Sequence, residues 1–390
     1  MVKIVFYIIS KKNTKFNIFK YKRKIIIIYL FITIIIILKF HCFYKFNKNF
    51  SLHDFIINFA NSEKNNNFGN ICCLLKKDEN TILNNKNIIH ISMSLDNNHI
   101  YPTLISMISF LENNDKDKNV LIYYLLLSND FIKEKINIFE SLKKNYDVRI
   151  NYYIIPNIFK NWKKWRDNTD SHYYKLIIPM LFQNLERILY LDGDTLAYKD
   201  ISELYNFPLL NNYIAAPPSP FNKMPKKFEI KSKIYINVGV ILINIKKIRK
   251  CKKDLELLYY TSKYSHLCTL PEQDLTNYVF RNNIGLLPFK YGIYLYGNIN
   301  IFEKFHTQKY KIIFKKEEIL EAINHPVIVH LVFCEPKIWW NHSINRFGNN
   351  FICKKYQKDF YYYANKTDYY SKIHYSPGFY SIRIFFQRNS

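Results

Sequence analysis

Between residues 87 and 191 the chain alternates two hydrophobic rhythms: short apolar runs, and longer stretches with apolar positions three to four apart. Ile88–Ser94, Val120–Leu127 and Val148–Ile155 predict strands, while Pro102–Asn113, Phe131–Lys144 and Tyr173–Asn184 predict helices. Ile188–Leu191 predicts a further short buried strand. Downstream, strands are predicted at Tyr213–Ala216, across Tyr235–Asn244 and at Val327–Leu331. Helices are predicted from near Lys246 and over Glu272–Phe280. This is the βαβ rhythm of an α/β domain with parallel strands. From Arg346 the chain is crowded with Tyr and Phe, a segment expected either to pack back on the domain or to lie on a membrane.

Ahead of this pattern, Ile25–Leu38 is fourteen residues without charge, Gly or Pro, extended past Lys39 by Phe40, Cys42, Phe43 and Tyr44. A spanning helix needs roughly 20 apolar residues, and Lys39 can snorkel to the interface. Eight Lys/Arg precede the run and three follow closely, so the positive-inside rule leaves the N-terminus cytosolic. The expectation is a type II signal anchor, with the rest of the chain lumenal in Golgi or ER. Residues 45–86, including the polar run NSEKNNN, read as a stem. Three sequons, at Asn49, Asn341 and Asn365, are compatible with a lumenal face.

The formal net charge of +26 invites a nucleic-acid reading, but eleven of the 57 Lys+Arg lie in residues 1–48, which hold no Asp or Glu. The remaining excess is spread over many segments, with no zinc-finger spacing and no aromatic RNA-binding motif. Nucleic acid is therefore not expected as a partner; an anionic nucleotide or membrane surface accounts for the charge as well. The seven cysteines contain no CxxC pair, which argues against a structural zinc site.

The chemistry-bearing stretch is RILYLDGDTLAYKD, Arg187–Asp200. Ligands of open α/β sheets bind beyond the carboxyl ends of strands. Asp192 and Asp194, placed there across Gly193, can converge on one hard divalent cation bound to a phosphate. By itself such a pair reads more readily as a solvated Asp-Gly turn.

Taken with four further segments, this stretch resembles glycosyltransferase family 8, whose members are retaining, metal-dependent enzymes of the GT-A fold that use UDP-hexoses. Those segments are SLDNNHIYPTLISMISFLENN (Ser94–Asn114), YINVGVILINIKK (Tyr235–Lys247), PEQDLTN (Pro271–Asn277) and HLVFCEPKIW (His330–Trp339), and they follow the family's order. The resemblance implies a GT-A (Rossmann-like) mixed sheet flanked by helices over 87–345. Around it would lie a cytosolic tail (1–24), an anchor (25–44), the stem (45–86) and an aromatic-rich extension (346–390).

Residue by residue, the resemblance implies that Asp192, Asp194 and His330 ligate Mn²⁺ or Mg²⁺, and that Lys337 offsets charge on the departing diphosphate. Asp96 and Asn98 would contact uracil and ribose, and Lys175 would lie near nucleotide and sugar. Asn237, Glu272 and Gln273 would meet the donor sugar, with Gly239 allowing close backbone approach. Lys337 sits one residue further from His330 than is usual, Phe333 replaces a glycine, and Glu272 replaces the usual Asp. Val238 and Gly292 also depart from the pattern. The implied activity is transfer of glucose or galactose from a UDP-sugar to a lumenal glycan, glycoprotein, lipid or inositol acceptor. A non-catalytic UDP- or sugar-binding protein on the same fold, or an enzyme like the glycoprotein glucosyltransferases, is the alternative.

Overall fold

The computed structural model describes residues 73–76, 86–164, 169–219, 228, 235–294, 314–332 and 351–369. The expected tail and anchor, most of the stem, and Lys337 lie outside these residues.

Eleven strands are described: β1 (Cys73–Lys76), β2 (Asn87–Leu95), β3 (Asn119–Leu127), β4 (Val148–Ile154), β5 (Arg187–Leu191), β6 (Thr195–Ala197), β7 (Ile214–Ala216), β8 (Val240–Asn244), β9 (Ile284–Leu286), β10 (Ile293–Tyr294) and β11 (Ile328–His330). The main sheet has the order β1-β4-β3-β2-β5-β8-β7-β9, and a small sheet the order β10-β11-β6. β4, β3, β2 and β5 run parallel, whereas β8 pairs antiparallel with β5 and β7 antiparallel with β8. The run of parallel neighbours therefore breaks at β5, β7 and β9 are parallel again beyond it, and the sheet is mixed.

Residues alternate across the sheet because successive side chains of a strand point to opposite faces. Ile89, Ile91, Met93, Leu95, Leu189 and Leu191 pack on one face, with α1 (Ile100–Glu112). Ile188, Tyr190, Ile241 and Ile243 pack on the other, with the 3₁₀ run Asp170–Ile177. β3, NVLIYYLLL, is buried along nearly its whole length, as a central strand covered on both faces requires. The remaining helices include α2 (Ile136–Glu140), α3 (Ile178–Leu181), α4 (Ser202–Tyr205), α5 (Ile245–Lys250), α6 (Lys253–Tyr264), α7 (Pro271–Phe280), α8 (Lys316–Asn324) and α9 (Phe351–Ala364).

The described part of the aromatic segment after Arg346, residues 351–369, packs back on the domain. Tyr356, Phe360, Tyr363 and Ala364 of α9 join the core beside α1. Tyr198 donates to Asp359 Oδ2 at 2.7 Å, and Asn113 donates to the Tyr363 hydroxyl at 3.0 Å.

Two expected helices are broken. Residues 131–144 form α2 between two 3₁₀ turns, where Ile132, Ile136 and Ile138 are β-branched and Asn137 is a weak helix former. Over 173–184 an α-helix begins only at Ile178, because Pro179 is tolerated in a first turn and not in an interior. Of Tyr235–Asn244, only Val240–Asn244 is strand.

Candidate active site

The carboxyl end of β5 is where the two sheets meet. Leu191 pairs with Val240 across β5 and β8, and the same ladder continues as Asp192 N–H donating to Gly239 O at 2.8 Å. Three residues on, β6 turns away and pairs antiparallel with β11, setting His330 opposite Thr195. Leu331 N–H then donates to Asp194 O at 2.8 Å. Backbone register alone thus delivers an imidazole from a distant strand to the acidic turn.

His330 Nε2 lies 3.0 Å from Asp194 Oδ1 and 3.7 Å from Asp192 Oδ2. One donor atom from each of the three residues falls within 4.8 Å of the others, a spacing one divalent cation can bridge. Gly239 makes the room. A Cβ there would lie 2.3 Å from His330 Cε1 and 2.7 Å from Asp192 Oδ2. Gly193 is equally constrained, since its Cβ would meet the Thr103 hydroxyl oxygen of α1 at 2.4 Å. His330 is buried with Nδ1 lacking a hydrogen-bond partner, so its ring is committed to the acidic side through Nε2. Two carboxylates, an imidazole and a cradle closed to any Cβ fit a divalent ion.

Asp192 is held by its other oxygen. Lys175 Nζ donates to Oδ1 at 3.0 Å, and the Tyr190 hydroxyl donates to the same atom at 2.8 Å. Burial acts to raise the Asp192 carboxyl, but the Lys175 ammonium and His330 hold it below its ordinary value. Lys175 itself is 4% exposed, donates also to Val238 O, and lies over the Tyr190 ring. It is a buried partner of Asp192, not the surface lysine that helix position alone suggests.

The loop after β2 closes a second wall. Asp96 Oδ1 accepts from Asn98 N–H, His99 N–H and His99 Nδ1, an Asx turn that starts α1. Its Oδ2 is buried without a hydrogen-bond partner. Burial works upward on this carboxyl and is outweighed by His99 and the Thr169 hydroxyl, which hold it well below the carboxylate range. The Asn98 side chain is exposed. His172 sits within the fields of Lys175, Asp192, His99 and Asp96, and burial pushes its pKa down to about 4, so it is neutral at pH 7.

The third wall is the turn before β8 and the start of α7. Asn237 Oδ1 accepts from Gly239 N–H at 2.7 Å, which bends the chain and keeps residues 237–239 out of the strand. Asn237 Nδ2 donates to Gln273 Oε1 at 3.1 Å, and Gln273 Nε2 donates to the Tyr235 hydroxyl at 3.1 Å. Tyr235 in turn donates to Asp274 Oδ1 at 2.5 Å. Glu272 is buried beside them, and burial pushes its pKa up to about 7 against the opposing charge of Lys175.

Of the predicted residues, Asp192 is therefore in contact with Lys175, Gly239 and His330, His330 also with Asp194, and Asn237 with Gln273. Lys337 lies outside the described residues. Tyr190, His172, His99 and Thr103 were not singled out by sequence. The one signal for Tyr190 was its place two residues before Asp192, on the face away from Leu189 and Leu191.

The profile of the family described as Glycosyl transferase family 8 matches residues 90–342, and the chain belongs to that family. It is a hexosyltransferase. It is 22% identical over 295 residues to a putative glycosyltransferase of Haemophilus influenzae, covering 73% of this chain and 84% of the relative. It is 27% identical over 238 residues to the lipopolysaccharide 1,2-glucosyltransferase of Escherichia coli, covering 58% of this chain and 69% of that one. Among solved structures, the bifunctional glycosyltransferase WbbM superposes with TM-score 0.59 at 22% identity, over 77% of this chain and 53% of its own. The galactosyltransferase LgtC, solved with donor and acceptor sugar analogues, gives TM-score 0.55 at 16% identity, over 72% and 96%. These likenesses establish the GT-A type of fold.

The same relatives correct the expected Golgi or ER placement and its type II topology. Both relatives named are bacterial proteins, from cells that have neither compartment. No helix among the described residues is long and apolar enough to cross a membrane, and residues 25–44 lie outside them.

Proposed function

We propose that the chain transfers a hexose, glucose or galactose, from a UDP-sugar to a glycan hydroxyl with retention at the anomeric carbon. The convergence of Asp192, Asp194 and His330 donor atoms within 4.8 Å carries this reading. Mixed carboxylate and imidazole donors suit Mn²⁺, and a cation there would neutralise charge growing on the departing diphosphate. Residues 87–345 are the proposed catalytic domain, with 346–390 as an extension of it.

The chain's own groups are assigned as follows. Asp96 Oδ2, buried without a hydrogen-bond partner, is free to accept from uracil or ribose, with Asn98 beside it on the loop. Lys337 is assigned to the leaving diphosphate by its sequence position. Glu272, with its pKa near the working range, both accepts from and donates to sugar hydroxyls.

Gln273 lies beneath the anomeric carbon in this reading. Its Oε1 already accepts from Asn237 Nδ2 and Val238 N–H, and a carboxamide is a poor nucleophile. Attack therefore proceeds from the leaving-group face: the acceptor hydroxyl enters beside the diphosphate, whose oxygen takes its proton. The fixed Gln273 dipole and Asn237 steady the oxocarbenium-like transition state. The E. coli relative, a lipopolysaccharide glucosyltransferase, supports a glycan as acceptor.

The test is a donor-hydrolysis screen of the full chain against UDP-sugars with and without Mn²⁺. UDP release from UDP-glucose or UDP-galactose that requires the ion is expected. No turnover of any UDP-hexose overturns the reading, and a β-linked product from an α-linked donor overturns the same-face scheme.

A further inference from the structure

We propose that Tyr190 is a positioning residue that decides which oxygen of Asp192 faces the cation, and that Ser94 completes the device. The assignment rests on the metal reading above and gives a role to two residues that lie inside the resembling segments without one assigned to them.

Asp192 is used asymmetrically. Oδ1 receives two donors, the Tyr190 hydroxyl at 2.8 Å and Lys175 Nζ at 3.0 Å. Oδ2 is turned to the other side, 3.7 Å from His330 Nε2 and 2.7 Å from where a Gly239 Cβ would stand. A carboxylate so held presents a single oxygen to the cradle. The Tyr190 hydroxyl must donate here, because an ionised carboxylate has no proton to give. Its lone pairs are then left to accept from Ser94 Oγ, 2.6 Å away. The order Ser94 to Tyr190 to Asp192 polarises each bond in the same sense.

The sequence explains why this works only at position 190. Tyr190 is on the opposite face of β5 from Leu189 and Leu191, so its side chain leaves the strand on the Lys175 side. It is 1% exposed, and the Lys175 ammonium lies 4.6 Å from its ring centroid. Phenol and ammonium are thus stacked against each other and converge on one oxygen. Outer partners that orient a ligating group typically change metal affinity by about 10- to 100-fold when removed.

The experiment is an EPR titration of Mn²⁺ into the full-length protein, with and without UDP, for wild type, Tyr190→Phe and Ser94→Ala. Melting temperatures of the metal-free proteins are read alongside. Tyr190→Phe keeps the ring and removes only the hydroxyl; a weakening of Mn²⁺ binding by about 10- to 100-fold is expected. Ser94→Ala, which leaves the phenol in place, is expected to shift affinity the same way by a smaller factor. Wild-type Mn²⁺ affinity in both variants, with only a lowered melting temperature, overturns the assignment in favour of a packing role. No Mn²⁺ binding by wild type in either arm overturns the metal reading itself, and this assignment with it.

Discussion

His330 Nε2 stands 3.0 Å from Asp194 Oδ1 although 136 residues separate the two in the chain. The short ladder between β6 and β11 makes that contact, and Gly239, in the turn just before β8, keeps the space beside it open. The site is therefore a junction of two sheets, and its integrity depends on backbone pairing as much as on the ligating side chains.

Gly239→Ala is the sharpest probe of that space. The added methyl would lie 2.3 Å from His330 Cε1, and overpacking of this kind costs roughly 1–3 kcal/mol. The expected outcome is a folded protein with UDP-sugar turnover reduced at least about tenfold, the His330 ring being displaced by an ångström or more. Parallel urea unfolding and donor hydrolysis separate the two effects, and wild-type turnover counts against the cradle.

Glu272 should leave a mark on stability. Its folded pKa is about 7 against an ordinary 4.5, so the folded state holds the extra proton between those values. Its contribution is complete below pH 4.5 and is lost as pH rises through 7. The size is on the order of 3 kcal/mol. Denaturation curves of wild type and Glu272→Gln, compared from pH 4.5 to 8, should diverge with that sign; parallel curves would show that the carboxyl is not held protonated.

The carboxyl-terminal helix is expected to be integral to the domain. Phe360 of α9 is 1% exposed in the core shared with α1. Phe360→Ala should cost about 3–5 kcal/mol, read as a drop in unfolding midpoint. A midpoint unchanged from wild type would mean that α9 is not docked in solution.

Tyr235 links Gln273 to Asp274, donating to one and accepting from the other. Tyr235→Phe leaves a buried carboxylate oxygen and an amide each short of a partner, a loss of about 1–3 kcal/mol. Turnover should fall with KM for the donor little changed, because the loosened group is assigned to the transition state. Steady-state kinetics over a range of donor concentrations decide this.

Much of this was legible in the sequence. The continuous apolar run of β3 and the alternation of β2 identify themselves, and the acidic turn follows a strand that could hardly be anything else. The antiparallel arrival of β8 was not visible, because Tyr235–Asn244 looks like one strand until Asn237 caps Gly239 N–H and breaks it. Lys175 could not be told from a surface lysine, since its burial comes from the Asp192 pair and the Tyr190 ring, both distant in sequence. His172 was invisible for the same reason: its neighbours Asp96 and Asp192 lie on two different strand ends. Local pattern encodes strands and turns; the register that joins them is written in long-range pairing.

The shared site of Asp192, Asp194 and His330 is put to its sharpest trial by Mn²⁺-dependent UDP-sugar hydrolysis in wild type and His330→Ala, measured side by side on full-length protein. Removing the imidazole should lower the ion-dependent rate by at least about 100-fold, with the metal-free protein still folded. A His330→Ala protein that turns over donor at the wild-type rate would contradict the shared site at its root.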